Sequence, residues 1–141
     1  MKTIYTAEVS SVGGRNGHVE SSDGVLKLDL SYPPMDGSTP TKTNPEQLFA
    51  AGYAACFTGA IMHVAPAPKP NPNEIRIVNK VTLGTDDAGG FRLAAHLDVT
   101  IPSVDQATAE KLVEAAHQVC PYSVATRGNI EVKLTAHGRK S

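Results

Sequence analysis

Two side chains in this sequence can act both as nucleophile and as redox centre: Cys56 and Cys120, 64 positions apart. A cysteine thiolate attacks electrophiles, and the sulfenic acid formed on oxidation condenses with a second thiol to a disulfide. There is no C-x-x-C pair for a structural zinc, and two cysteines are too few to staple a secreted scaffold. Cys56 lies among Ala50, Ala51, Gly52, Ala54, Ala55, Gly59 and Ala60. Small neighbours leave a sulfur open to a substrate; the bland alternative is a thiol packed as a small hydrophobe. Cys120 stands directly before Pro121-Tyr122-Ser123, where a helix must end, so its thiol has room to move. A fixed thiolate that attacks and a mobile thiol that resolves fit that layout, although spacing alone does not bring the two together.

The elements that must position these thiols follow from pattern. Asn44-Pro45 is a helix start, a capping side chain followed by proline at the first helical position. The helix runs to about Ala65, where the tract Pro66-Ala67-Pro68-Lys69-Pro70-Asn71-Pro72 stops it as an exposed, extended connector. Upstream, residues 3–10 read as a strand, Gly13, Gly14 and Gly17 surround Arg15 in a turn, and residues 18–22 and 25–30 form a hairpin around Asp23-Gly24. Residues 31–43 are a loop by composition. Downstream, residues 74–84 and 91–101 alternate across the turn Asp86–Gly90, Phe91, Leu93, Leu97, Val99 and Ile101 marking the second arm. Ser103-Val104-Asp105-Gln106 fits a capping box for a helix reaching Val119 or Cys120, with Leu112, Val113, Ala116 and Val119 as its apolar stripe. Residues 129–135 close the chain as a strand. The order is βββ-α-ββ-α-β, an α+β domain with mostly antiparallel pairing, read as one domain over residues 1–141. Gly52 and Gly59, each costing a helix about 1 kcal/mol, point to a second backbone approaching closely.

Composition narrows the function. The chain is 40% apolar and 19% charged, with 13 basic and 14 acidic residues and a net charge of −1, so nothing electrostatic favours nucleic acid. Leu48 to Ala65 is nearly uncharged, but Tyr53, Thr58, Gly59 and His63 interrupt it and prolines bracket it. A spanning helix needs about 20 mainly apolar residues, so a buried core helix is expected instead. The start lacks an apolar stretch, which points to a cytoplasmic protein with no membrane partner. The five histidines, His18, His63, His96, His117 and His137, show no metal-ligand spacing.

The segment from Asn44 to Phe57, NPEQLFAAGYAACF, closely resembles the peroxidatic motif of the organic hydroperoxide resistance family, part of the wider OsmC group. Val119-Cys120-Pro121-Tyr122-Ser123, followed by residues 125–130 (ATRGNI), resembles that family's second cysteine motif. Gly13-Gly14-Arg15-Asn16-Gly17 and Ser21-Ser22-Asp23-Gly24 match its N-terminal pattern. The resemblance covers essentially the whole chain in the family's order. It departs in the 31–43 loop, which lacks a glycine-rich run, and in the proline content of residues 64–74.

The resemblance implies an OsmC-like fold, with antiparallel sheets around a long central helix bearing the cysteine, in an intertwined homodimer. It further implies a thiol peroxidase that reduces alkyl or lipid hydroperoxides. Cys56 is then the peroxidatic nucleophile, Cys120 the resolving thiol, Arg15 the cation that stabilises thiolate and peroxide, and Glu46 the carboxylate that orients Arg15. No bound cofactor is implied; the reductant is a dithiol such as protein-bound dihydrolipoamide. Free cysteine, with a pKa near 8.5, is only a few per cent thiolate at pH 7, so a fixed cation is needed beside it. Phe49, Tyr53, Phe57, Ile61 and Met62 cluster around Cys56, either as an apolar substrate pocket or as core.

Helix geometry adds a constraint. Glu46 and Cys56 are ten residues apart, about 15 Å along the axis and about 80° around it. One Arg15 cannot easily pair with that Glu46 and also touch that Cys56. A homodimer resolves this, Arg15 and Glu46 of one copy serving Cys56 of the other across small-residue helices. Three other readings stay open: a thiol redox sensor, an OsmC-branch protein with different substrates, and a structural dimer with inert cysteines.

Overall fold

The glycine-rich turn and the short alternating segments build the first of two units, Met1–Leu48, in a computed structural model that describes residues 1–140. Strands β1 (Val9–Val12), β2 (His18–Ser21) and β3 (Lys27–Asp29) pair antiparallel in that order, Val9 opposite Ser21 and His18 opposite Asp29. The strand expected over residues 3–10 begins only at Val9. Before Val9 the Glu8 carbonyl still accepts from the Ser22 amide at 2.9 Å, and there the turn around Asp23-Gly24 ends the pairing. Beyond β3, Leu30 is buried and Thr43 returns beside it in a parallel bridge, with Thr43 N–H donating to the Asp29 carbonyl and Ser31 N–H to the Thr43 carbonyl. That neck closes the 31–42 loop and delivers Asn44, whose side-chain oxygen accepts from the Gln47 amide at 2.9 Å. Helix α1 (Pro45–Val64) starts there, with proline at a position whose amide has no helical partner.

From Phe49 onward a second unit is organised around an apolar core. Strands β4 (Arg76–Thr85) and β5 (Phe91–Thr100) form the expected hairpin, Thr85 opposite Phe91. Helix α2 (Gln106–Val119) follows, then a helix the periodicity did not announce, α3 (Pro121–Thr126), and finally β6 (Glu131–His137). The sheet order is β4-β5-β6, and β5 pairs with β6 parallel, because two helices intervene between them. Pro121 both stops α2 and opens α3, which explains why the sequence read as an end and not as a new start. The cap of α2 is Asp105, accepting from the Thr108 amide at 2.7 Å, not Ser103; residues 101–104 are occupied by a turn, in which Val104 N–H donates to the Ile101 carbonyl.

The core joins Tyr53, Phe57, Ala60 and Ile61 of α1 to Leu97, Val99 and Ile101 on one face of the β5 region, and to Ala109, Leu112, Val113 and Ala116 of α2. Burying a side chain of the larger kind contributes about 1.5–3 kcal/mol. Val119, expected in the α2 stripe, is instead exposed, as is Phe91 at the hairpin tip. Helix α1 is long and apolar enough to cross a membrane by length and composition, yet it contributes its buried stripe to a protein core. The expectation of a helix covered all round is not met within the chain: Ala51, Ala55 and Gly59 stay exposed. At its C-terminus Lys69, from the proline tract, donates to the carbonyls of Met62 and Ala65, capping the helix end with a cation.

Candidate active site

In the first unit, Gly13 and Gly14 adopt φ of 83° and 61°, left-handed values that a side chain strains to reach. They lead into a short 3-10 turn, Gly14–Asn16, closed by Gly17 N–H on the Gly14 carbonyl, and Arg15 projects from it. Its guanidinium meets the Glu46 carboxylate with both forks, Nη1 to Oε2 at 2.9 Å and Nη2 to Oε1 at 2.6 Å. Two parallel charge-assisted bonds fix the guanidinium in orientation as well as position. The bond from Arg15 holds the Glu46 carboxyl below the usual carboxylate range, and Glu46 in turn raises Arg15 further above any working pH. The Arg15 side chain keeps 33% of its surface exposed and Glu46 16%, so the pair is reachable from solvent. Asn16 accepts from the Tyr32 amide, tying the far side of the loop.

The second unit brings the two cysteines together. Both are free thiols, with Sγ of Cys120 3.7 Å from Sγ of Cys56. Cys120 is fully buried, whereas Cys56, halfway along α1, is partly accessible. Burial pushes the Cys56 thiol above its ordinary value, and the hydrogen bond from Cys120 and its proximity push the same way. Only the backbone amide of Tyr122, at the start of α3, favours the thiolate among the groups acting on it. Cys120 sits between α2 and α3 in extended geometry, φ −59° and ψ 123°, so the chain pivots at the residue carrying the second sulfur.

Of the five apolar residues near Cys56, Tyr53, Phe57 and Ile61 have no accessible surface. They are core side chains; their spacing from one another places them on the buried stripe, which removes them from the substrate-pocket reading. Phe49 and Met62 keep accessible surface. Tyr122 was not singled out as a neighbour of this site, yet its ring packs on Phe49 and Tyr53, with centroids 6.1 and 5.5 Å apart. Gly52 was the available signal: a Cβ there would stand 2.7 Å from the Tyr122 hydroxyl. The close approach that Gly52 permits is therefore an aromatic side chain rather than a backbone, and around Gly59 the chain leaves open space. Among the described residues no three His, Cys, Asp or Glu side chains gather as metal ligands.

Residues 36–135 match the family described as OsmC-like protein. The chain is 50% identical over 134 residues to organic hydroperoxide resistance protein OhrB of Bacillus subtilis (strain 168), covering 93% of this chain and 96% of the relative. It is 49% identical over 136 residues to the organic hydroperoxide resistance protein of Xanthomonas axonopodis pv. citri (strain 306), covering 95% of each. Among solved structures it is similar to an organic hydroperoxide resistance protein from Elizabethkingia anophelis, with a TM-score of 0.87 and 49% identity over 98% of this chain and 99% of that one. An OsmC like protein from Mycoplasma pneumoniae, at 14% identity and a TM-score of 0.67, shares the fold.

Proposed function

Because the chain belongs to the organic hydroperoxide resistance family of OsmC-like proteins, we propose that it protects against organic peroxides as a cysteine-based peroxidase. The observation that carries this reading is the pair of free sulfurs at 3.7 Å, one partly accessible and one buried. The Cys56 thiolate attacks the distal oxygen of an alkyl or lipid hydroperoxide. The O–O bond breaks, the alcohol leaves with a proton, and Cys56 becomes a sulfenic acid. Cys120 then displaces the sulfenic oxygen as water to give an intramolecular disulfide. A dithiol of the dihydrolipoamide type, free or carried on a lipoylated protein, restores both thiols by exchange and leaves as its own disulfide.

Burial raises the Cys56 thiol, so the nucleophile needs a cation, and Arg15 is the one we assign. Its bidentate hold on Glu46 supports a fixed charge with donors left over for a peroxide oxygen. Ten residues of helix separate Glu46 from Cys56, which supports a homodimer with Arg15 and Glu46 of one copy serving Cys56 of the other. The exposed small-residue face of α1, Ala51, Ala55 and Gly59, is where a second copy of the helix fits. Phe49 and Met62 are the remaining candidates for the apolar wall that selects organic substrates. We place the protein in the cytoplasm, where dithiol reductants keep such a pair cycling.

The test is consumption of cumene hydroperoxide with dihydrolipoamide as the only reductant, repeated with hydrogen peroxide at equal concentration. Multiple turnovers of the organic substrate, much slower with hydrogen peroxide, are expected. No turnover of either by protein whose Cys56 is reduced and accessible overturns the peroxidase reading.

A further inference from the structure

Four polar side chains that the reaction above does not use form one hydrogen-bonded chain near both cysteines, three of them buried and His117 partly so. Ser123 is fully buried, and its Oγ lies 2.7 Å from the Tyr53 hydroxyl and 2.8 Å from Nδ1 of His117. Thr126 completes it, its Oγ1 3.4 Å from the Tyr53 hydroxyl and donating to the Ser123 carbonyl. The chain joins α1, α2 and α3. Tyr53 stands three residues before Cys56 and Ser123 three residues after Cys120, so each link lies about one helical turn from a sulfur.

We infer that His117, Ser123 and Tyr53 are positioning residues for the resolving step: they clamp the first turn of α3 to α1 and so hold Cys120 in line with Cys56. The inference rests on the peroxidase reading and assigns its second half. The step is Cys56–SOH plus Cys120–SH giving Cys56–S–S–Cys120 plus water. The sulfur–sulfur bond forms, the sulfur–oxygen bond breaks, and the thiol proton leaves with the hydroxyl. A disulfide spans about 2.0 Å, so from 3.7 Å the sulfurs must still approach by about 1.7 Å. The pivot at Cys120 supplies that motion, and the clamp decides its direction. A misplacement of about 1 Å in such an approach costs on the order of 10²-fold in rate.

The chain also has a polarity. With neutral His117 accepting at Nδ1, Ser123 donates to it and Tyr53 donates to Ser123, so both short contacts are hydrogen bonds. Protonated His117 must donate instead. Ser123 then donates to Tyr53, and the Tyr53 hydroxyl is left with the 3.4 Å contact to Thr126. Burial and the Arg127 charge oppose that protonation, and Glu114 on α2 favours it. Arg127, beyond α3, donates to the His117 carbonyl, while Tyr53 and Ser123 present hydroxyls. Both short contacts survive that reversal, so protonation turns the direction of the chain without removing a link.

The experiment mixes reduced full-length protein rapidly with cumene hydroperoxide without reductant. It follows loss of the Cys56 thiol, by alkylating quenched samples and reading Cys56 by mass, separately from appearance of the disulfide. Ser123→Ala and His117→Leu are expected to lose the thiol within about twofold of wild type but to close the disulfide about tenfold or more slowly, accumulating sulfinic acid under excess peroxide. His117→Asn, whose side-chain amide reaches the Nδ1 position, is expected to restore closure to within about threefold. Equal closure rates in wild type, Ser123→Ala and His117→Leu overturn the inference. The same comparison with diamide as oxidant closes the disulfide without peroxide, so slow closure there sustains the clamp even if the peroxidase reading fails.

Discussion

The two units hold their chemistry by opposite means. From Phe49 onward, the cysteines are positioned by packing: Cys120 belongs to the same buried cluster as Tyr53, Phe57, Leu97 and Val113. In Met1–Leu48 almost nothing is buried, Leu30 and Asn44 being the exceptions, and Arg15 is positioned by a glycine turn and a two-pronged ion pair. Val9, Val12, Val25, Leu28, Tyr32 and Met35 of that unit are exposed. A hairpin alone is marginal in water, and a small sheet gains stability by packing its hydrophobic face. The difference teaches that packing inside one unit sets the thiols, whereas a turn and an ion pair set the cation, in a unit whose own apolar side chains call for a cover. A second copy is the cover we propose.

The largest expected effect tests whether the charge is lent between copies. Arg15→Ala and Cys56→Ser homodimers should each be nearly inactive in the cumene hydroperoxide assay. Refolded together at equal amounts, half of the dimers pair one chain of each kind, and each such dimer holds one complete site. Activity should return to about one quarter of wild type. If the mixture stays as inactive as its parents, Arg15 does not act across the dimer.

The next effect sets core against sheet. Leu97→Ala opens a cavity among buried side chains and should cost about 2–5 kcal/mol in urea unfolding. Val12 is 75% exposed, so Val12→Ala should change the stability of an isolated chain by less than about 0.5 kcal/mol. Covering of the N-terminal sheet in a dimer predicts a larger loss for Val12→Ala that shrinks as the protein is diluted. A small, concentration-independent change leaves the sheet uncovered.

What the sequence disclosed follows the same division. The α1 start was legible because Asn44-Pro45 acts locally, and the β4–β5 hairpin because alternation with a turn between is a local pattern too. The cap of α2 was misplaced by two residues because Ser103 and Asp105 are both good caps, and only the preceding turn selects between them. Helix α3 was missed since proline marks an end and a beginning alike. At the site, the cysteines and the Arg15 loop stood out by residue type and motif. Their 3.7 Å separation, the Tyr122 ring over Gly52 and the Ser123 bridge depend on residues about 70 positions apart, which no local pattern encodes.

The smallest effect is the sharpest on the dimer. Among the described residues nothing outside the helix's own turn lies within 4 Å of a Cβ placed on Gly59, so Gly59→Ala meets no obstacle there and gains helix propensity of about 1 kcal/mol. In the proposed dimer that same position faces the partner's α1, where an added methyl keeps two small-residue helices apart. The two contributions separate by mass action, because the propensity gain is independent of concentration and the interface loss is not. Thermal unfolding of Gly59→Ala should therefore occur below wild type at high concentration, with the difference narrowing and then reversing on dilution. Uniform stabilisation at every concentration would place the interface elsewhere and leave the Ala51–Ala55–Gly59 face open to solvent.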